Sequence, residues 1–386
     1  MKKIKAVLSS IFLCASLTLL TACSDIVQVD ERAIVQAVGI DKSASGFKLS
    51  LQVFNPQGGS TTEVGGLSVK TIISDGYTIS DALKNAELKQ GKQIFLGHNN
   101  LIILGQSIKN DDLEEVLRYF VKDTMTFPGI DIVMSGGDAY DLVNLELSKG
   151  IISAQRMKDI LNLSIKNGTA RKSQLVTVIS DLMSLQRTTT LPIVNAIKAS
   201  PEVLPAAKKD SDTGKDTNPD LVTATTTALI KNGKVIAELN TTETQGIKWL
   251  SNDVSGMFLT VSINGEKIGI DIQKANVNLR PEIVDKKVVM HADIKVKAKA
   301  VDILGQGDGS KLKSDEAIEN EINRLIMSQC ESAIEATIKA NKADALGIEN
   351  YLKFYEKDFY LAMKDSYEDV LSDLTYDISI KSKVLG

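Results

Sequence analysis

Residues 199–220 constrain this chain more than any other segment, because they set Pro201, Pro205 and Pro219 among Lys, Asp, Ser and Thr with almost no large apolar residues. A stretch of that composition cannot bury enough apolar surface to offset the entropy of ordering it. It reads as a linker or exposed loop between an N-terminal α/β region at 23–198 and a C-terminal α/β domain at 221–386. Each part is long enough to build its own core. A second interruption, residues 55–69, carries Gly58, Gly59, Gly65 and Gly66 and offers a point at which the N-terminal region subdivides.

Within these bounds strands and helices mix. Ala33–Ile40 and Phe47–Val53 read as a hairpin around a polar turn, and Ile94–Leu96, Leu101–Leu104 and Ile130–Met134 as short apolar strands. Ser80 is placed to cap one helix, and Asp111 or Asp112 the next. Further helices are expected over Ser153–Lys166, ended by Gly168, and over Lys172–Gln186. In the second half, Asn232-Gly233 and Asn264-Gly265 each separate two apolar runs, the signature of a type I′ hairpin. A strand follows over Val288–Val301, then a long helix capped by Ser314, an aromatic helix carrying Tyr351, Phe354, Tyr355, Phe359 and Tyr360, and a last strand from Tyr376 to Val384. The pattern predicts a multi-domain α+β or mixed α/β protein whose mixed β-sheets are flanked by helices.

The N-terminus reads as an address. Lys2, Lys3 and Lys5 precede an apolar run, Ala6–Leu20, that suits export but is shorter than the ~20 residues of a spanning helix. It ends in Leu20, Thr21, Ala22 and Cys23, which resembles a bacterial lipobox: residues 1–22 are the signal peptide, cleavage falls between Ala22 and Cys23, and Cys23 is the lipidation site. Two acyl chains on its sulfur would hold the chain at a bilayer durably, since each buried methylene contributes about 0.8 kcal/mol. Cys14 leaves with the signal, so Cys330 stands alone and no intrachain disulfide forms. Its place in an amphipathic helical pattern predicts a small core residue, not a reactive thiol.

Chemistry is sparse. The two histidines, His98 and His291, have no second ligand at metal spacing, and no Gly-x-Ser-x-Gly elbow accompanies them. Gly305, Gly307 and Gly309 are not followed by the Lys-Ser or Lys-Thr of a phosphate loop. The loop from Asp41 mimics an EF-hand until its twelfth position, which is Gln52 where a glutamate is needed. The formal net charge of −4 gives no basic excess for nucleic acid. No catalytic residue, cofactor or metal ligand emerges, which argues against an enzyme.

One resemblance orders these pieces. The run Glu31–Asp41 (ERAIVQAVGID) resembles the opening strand of the Ger(x)C lipoproteins, the C subunits of nutrient germinant receptors in endospore-forming bacteria. Phe95–Gly105 (FLGHNNLIILG) is similar to that family's strand-turn-strand, and Ala228–Leu250 (ALIKNGKVIAELNTTETQGIKWL) to its hairpin, followed by a Glu-Thr-x-Gly turn and the Trp249–Leu250 pair. Ala343–Leu352 (ADALGIENYL) resembles the start of its last helix. The family often has a tryptophan directly after the lipid cysteine and then an acidic residue, whereas here Ser24 precedes Asp25. The resemblance implies a non-catalytic, lipid-anchored subunit on the outer face of the spore inner membrane. Its implied partners are two polytopic membrane subunits of the A and B type and the bilayer itself; contact with the small-molecule germinant is left open. The alternatives are a solute-binding lipoprotein of a transporter, which would need a ligand cleft between domains, and a tethered envelope hydrolase, for which no paired residues stand out.

Overall fold

A computed structural model describes residues 31–55, 68–111, 113–145, 153–197, 221–254, 256–304 and 314–385. Ala22 and Cys23, the glycines at 305–309, the 199–220 segment and all but the ends of the 55–69 segment lie outside the described residues.

Strands β1 (Arg32–Ser43), β2 (Gly46–Asn55) and β3 (Ser68–Gly76) form an antiparallel meander at one side of a nine-stranded sheet. β4 (Gln93–Phe95), β5 (Leu101–Leu104), β6 (Asp131–Ser135), β7 (Thr188–Ile197), β8 (Leu221–Lys231) and β9 (Lys234–Leu239) complete it in the order β3-β2-β1-β5-β6-β7-β8-β9, with β4 also paired to β1. The centre, β1-β5-β6-β7, is parallel, and both flanks are antiparallel. Parallel strands are covered on both faces, which explains the unbroken apolar run in β5. Ile102 and Leu104 pack under α1 (Ile79–Gln90), α2 (Leu113–Lys122) and α5 (Leu175–Leu182), whereas Leu101 and Ile103 pack under α3 (Ala139–Val143) and α4 (Ser153–Lys166).

The strands on either side of 199–220 are neighbours: β7 and β8 pair antiparallel from Thr188 opposite Lys231 to Ile197 opposite Leu221. A boundary expected there therefore does not coincide with a change of sheet. Composition limits what such a segment can bury and carries no information on whether its flanks pair. The chain changes sheet later, after α6 (Thr241–Leu250).

The second sheet runs β10-β11-β12-β13, from β10 (Met257–Ile263), β11 (Glu266–Val284), β12 (Lys287–Leu304) and β13 (Thr375–Val384). One face packs on α7 (Asp315–Ile334), α8 (Ile348–Tyr355), α9 (Lys357–Met363) and α10 (Tyr367–Asp373); alternation, interrupted by two irregularities in β11, leaves the other face largely polar and solvated. The expected Asn-Gly turns are present, with positive φ at Asn232, Gly233, Asn264 and Gly265. A third hairpin turns through Asp285 and Lys286, at φ 50° and 64°. Two L-residues in that region are not a usual turn signature, so the pattern did not reveal it. The last strand runs parallel to β12. Its outer N–H groups at Ser382 and Val384 donate to Asn323 Oδ1 (3.0 Å) and Glu319 Oε1 (2.9 Å) of α7, which covers part of an otherwise open edge.

Three local expectations need correction. Thr78, not Ser80, caps α1: it holds extended backbone (φ −130°, ψ 166°) and its hydroxyl accepts from Asp81 N at 3.1 Å. The helix expected over Lys172–Gln186 spans only Leu175–Leu182. The single aromatic helix breaks at Glu356 (φ −129°, ψ 50°) into α8 and α9.

Candidate functional site

At the carboxyl ends of the parallel strands the chain builds a close-fitted crevice, the usual place for a ligand in an open α/β sheet. Asp41, near the end of β1, is buried and accepts N–H bonds from Ala139 (2.9 Å) and Tyr140 (3.1 Å), so it caps α3 from across the sheet. Burial raises its pKa, and these two donors oppose the shift. A Cβ on Gly105 would lie 1.8 Å from Asp41 Oδ1, which Ala139 holds in place, so this turn needs glycine; one on Gly136 would lie 1.9 Å from Asn195 Oδ1 and would displace that side chain. The resulting cleft holds about 210 Å³ and is lined by Gln106, Lys109, Ser135, Asn195, Thr226 and Glu238 among others. Typical small-molecule pockets hold roughly 300–1,000 Å³.

The second candidate is the joint between the sheets, occupied by α6. Asn240 and Glu243 close a capping box at its start. Every residue from Thr244 to Leu250 is buried. Thr244 donates to Thr227 of β8 at 2.9 Å on one side. On the other, a Cβ on Gly246 would lie 1.9 Å from the Gln329 carbonyl oxygen of α7. The expected Glu-Thr-x-Gly turn is thus the middle of a helix, and its glycine serves helix–helix approach instead of a turn. Next to it, Trp249 Nε1 donates to Gln329 Oε1 at 2.7 Å, and Gln329 donates to Gln245 Oε1 at 2.7 Å.

Charged groups tie the two parts together across this joint. Arg171 Nη1 donates to Thr190 Oγ1 of β7 (3.0 Å) and to the Ala345 carbonyl ahead of α8 (3.3 Å). Burial lowers its pKa, with Asp253 and Asp181 opposing. Glu349 accepts from the backbone of Leu185 and Gln186 at 3.3 Å each, from Tyr360 at 3.2 Å, and pairs with Lys353 at 2.6 Å. Lys231 bonds Lys342 O at 2.8 Å and Glu368 at 2.6 Å. Lys248 is fully buried, its Nζ 3.6 Å from Asp253 Oδ2, and burial lowers its pKa. Apart from Lys248, these groups are engaged by structural partners; none forms a nucleophile–base pair.

Cys330 is fully buried, and burial raises its thiol pKa, as its helical pattern led one to expect. His98 lies in the turn between β4 and β5, edge-on to Phe95. His291 does gain carboxylate neighbours that spacing along the chain had not revealed: Glu282 Oε2 at 2.7 Å and Asp377 Oδ2 at 3.0 Å, brought together by the pairing of β11, β12 and β13. Among the described residues no group of three His, Cys, Asp or Glu side chains is placed to hold a metal ion, and no helix is long and apolar enough to cross a membrane. Of the aromatic cluster, Tyr351 and Phe359 pack against the core, whereas Phe354 and Tyr355 are exposed. Asp41 drew notice in the sequence only as the start of an EF-hand-like loop, and Gly136 and Asn195 were not singled out. The Ser135-Gly136-Gly137-Asp138 run after an apolar strand was the signal that could have found Gly136 and the start of α3 that Asp41 caps.

Comparison with known proteins matches both parts of the chain in order. Residues 25–196 match the family model described as spore germination protein N-terminal domain, and residues 225–386 match spore germination B3/GerAC like, C-terminal. Spore germination protein B3 of Bacillus subtilis (strain 168) is 21% identical, covering 94% of this chain and 93% of its own length. Spore germination protein KC of the same strain is 22% identical over 99% of this chain and 96% of its own. The crystal structure of the GerBC protein shares the fold, with a TM-score of 0.58 at 18% identity over 94% of this chain and all of that one.

Proposed function

The chain belongs to the spore germination B3/GerAC-like family, and from that membership we propose that it is the lipid-anchored C subunit of a nutrient germinant receptor. The two family matches, in order and together spanning most of the chain, carry this reading. In it, Cys23 is acylated after cleavage from Ala22, and the folded units stand on the outer face of the spore inner membrane beside A- and B-type membrane subunits. The subunit acts by binding and positioning, without catalysis. The charges of the joint suit that role, since Arg171, Lys231 and Glu349 each bond a group on the other side of it and so help to hold the two sheets in one arrangement. A solute-binding lipoprotein would take its ligand between two domains, where this chain places the buried helix α6.

Deleting the gene in a strain without paralogues tests the proposal: nutrient-triggered germination is expected to fail while vegetative growth is unchanged. Cys23→Ala is expected to release the protein from the membrane fraction and to slow germination. Normal germination of the deletion strain with every nutrient would sink the receptor reading.

A further inference from the structure

We propose that the solvated face of the second sheet is a docking surface for anionic phospholipid headgroups. The proposal deepens the reading of a membrane-tethered subunit and rests on it for the identity of the surface. Its evidence is the register of three strands. On β12, the half-buried His291 and the exposed Asp293, Lys295, Lys297 and Lys299 alternate with buried residues. Lys381 and Lys383 of β13 stand directly opposite Lys295 and Lys297, and Lys274 of β11 stands opposite Lys297 from the other side. Six exposed lysines thus share one flat face of a chain whose net charge is −4.

None of these six makes an ion pair or hydrogen bond among the described residues. The face divides along the strands: Glu282, Asp377 and Asp293 gather with His291 at one end, and among the lysines at the other end stands Asp271, opposite Lys299 and engaged with Gln273 at 2.6 Å. Like charges directly opposite on adjacent strands destabilise a sheet. Lys295 with Lys381, and Lys297 with Lys383 and Lys274, therefore work against folding and call for an external anion. The form of the face selects among anions. Between the charges its exposed positions are polar, Asn276, Asn278 and Ser379, and not the apolar centre that anchors protein interfaces. Lysine is a flexible point charge, suited to a diffuse anionic layer. At the β10 edge, Phe258, 49% exposed and directly opposite Asp271, adds an aromatic side chain of the kind enriched at membrane interfaces. An acyl group on Cys23 would keep Glu31 within about 30 Å of the bilayer, at a concentration where weak attraction suffices.

The test uses the mature chain from Ser24 onward, without an acyl group, sedimented with vesicles of phosphatidylcholine alone or of phosphatidylcholine with phosphatidylglycerol. Binding is expected only to the phosphatidylglycerol vesicles, weakening with added salt. Lys295→Gln with Lys297→Gln should lower the partition about 25-fold, taking about fivefold per lysine. Lys92→Gln with Lys234→Gln, on the first sheet and its connections, should lower it far less. Both pairs should melt as the parent does or higher, which separates lost binding from lost folding. Equal partition of parent and Lys295/Lys297 variant, equal loss in the control pair, or no preference for phosphatidylglycerol would overturn the proposal. Retention on immobilised polyglutamate without vesicle binding would also overturn it and assign the face to an acidic protein. Because no acyl group is present, failure here leaves the tether reading intact, and failure of Cys23→Ala to release the protein leaves this face intact.

Discussion

Trp249 and Gln329 join the two halves of the molecule through one hydrogen bond: the indole Nε1 on α6 donates to the amide oxygen on α7 at 2.7 Å, with both side chains buried. The bond sits where the chain has just left the first sheet and has yet to enter the second, so the docking of α6 decides how the two sheets are held.

Trp249→Phe is expected to leave the Gln329 oxygen buried without a donor while preserving most of the apolar volume. An unsatisfied buried acceptor costs about 1–3 kcal/mol. Urea denaturation should show a loss of that size, and an unchanged midpoint would mean that the relay contributes nothing.

Gly246→Ala separates local propensity from packing. In an isolated helix the change would stabilise by about 1 kcal/mol. Here the new methyl meets the Gln329 carbonyl oxygen, a backbone atom that cannot swing away, so overpacking should reverse the sign and destabilise by about 1–3 kcal/mol. A raised melting temperature would contradict the close approach of α6 and α7.

Lys248→Met should hold or raise stability, because it removes a buried ammonium whose one ion-pair partner among the described residues is Asp253 at 3.6 Å, and it keeps the volume of the stem. Burial lowers the pKa of this lysine in the folded state, so between that value and the ordinary 10.5 the unfolded chain binds more protons and stability rises with pH. The variant should lose this rise. Melts across the alkaline range check it, and a large loss of stability at neutral pH would show that the ammonium has a partner of real strength.

His291 should titrate above its ordinary 6.5, first because Glu282 accepts its hydrogen bond and next because Asp377 does. A raised folded-state pKa means that the stabilisation is fully present below 6.5 and is lost as pH rises through the folded value. NMR titration of the imidazole signals of the two histidines checks the shift, and Asp377→Asn should lower it. A His291 signal titrating at or below 6.5 would show that the two carboxylates do not hold the ring in solution.

Much of the local structure was legible in sequence because it is set over a few residues. Asn232-Gly233 and Asn264-Gly265 specify their turns through the φ values that Asn and Gly accept. Ser314 caps α7 as its position ahead of Asp315 and Glu316 suggests, and the alternation in β13 shows which residues face water. The order of strands and helices, and the family resemblance read from four short runs, follow from the same local information.

What spacing along the chain could not reveal was which distant residues become neighbours. The pairing of β7 with β8 across 199–220, the entry of Asp41 beneath Ala139, and the two carboxylates around His291 each depend on a register set between strands. So does the lysine face: Lys274, Lys295 and Lys381 lie far apart in sequence and share one surface only because β11, β12 and β13 lie side by side. The sequence by itself determined most of the elements and the family. The tertiary structure alone decided where charge accumulates and where the two sheets are joined, because cross-strand register and helix docking are settled by burial of whole faces and not by any short run of residues.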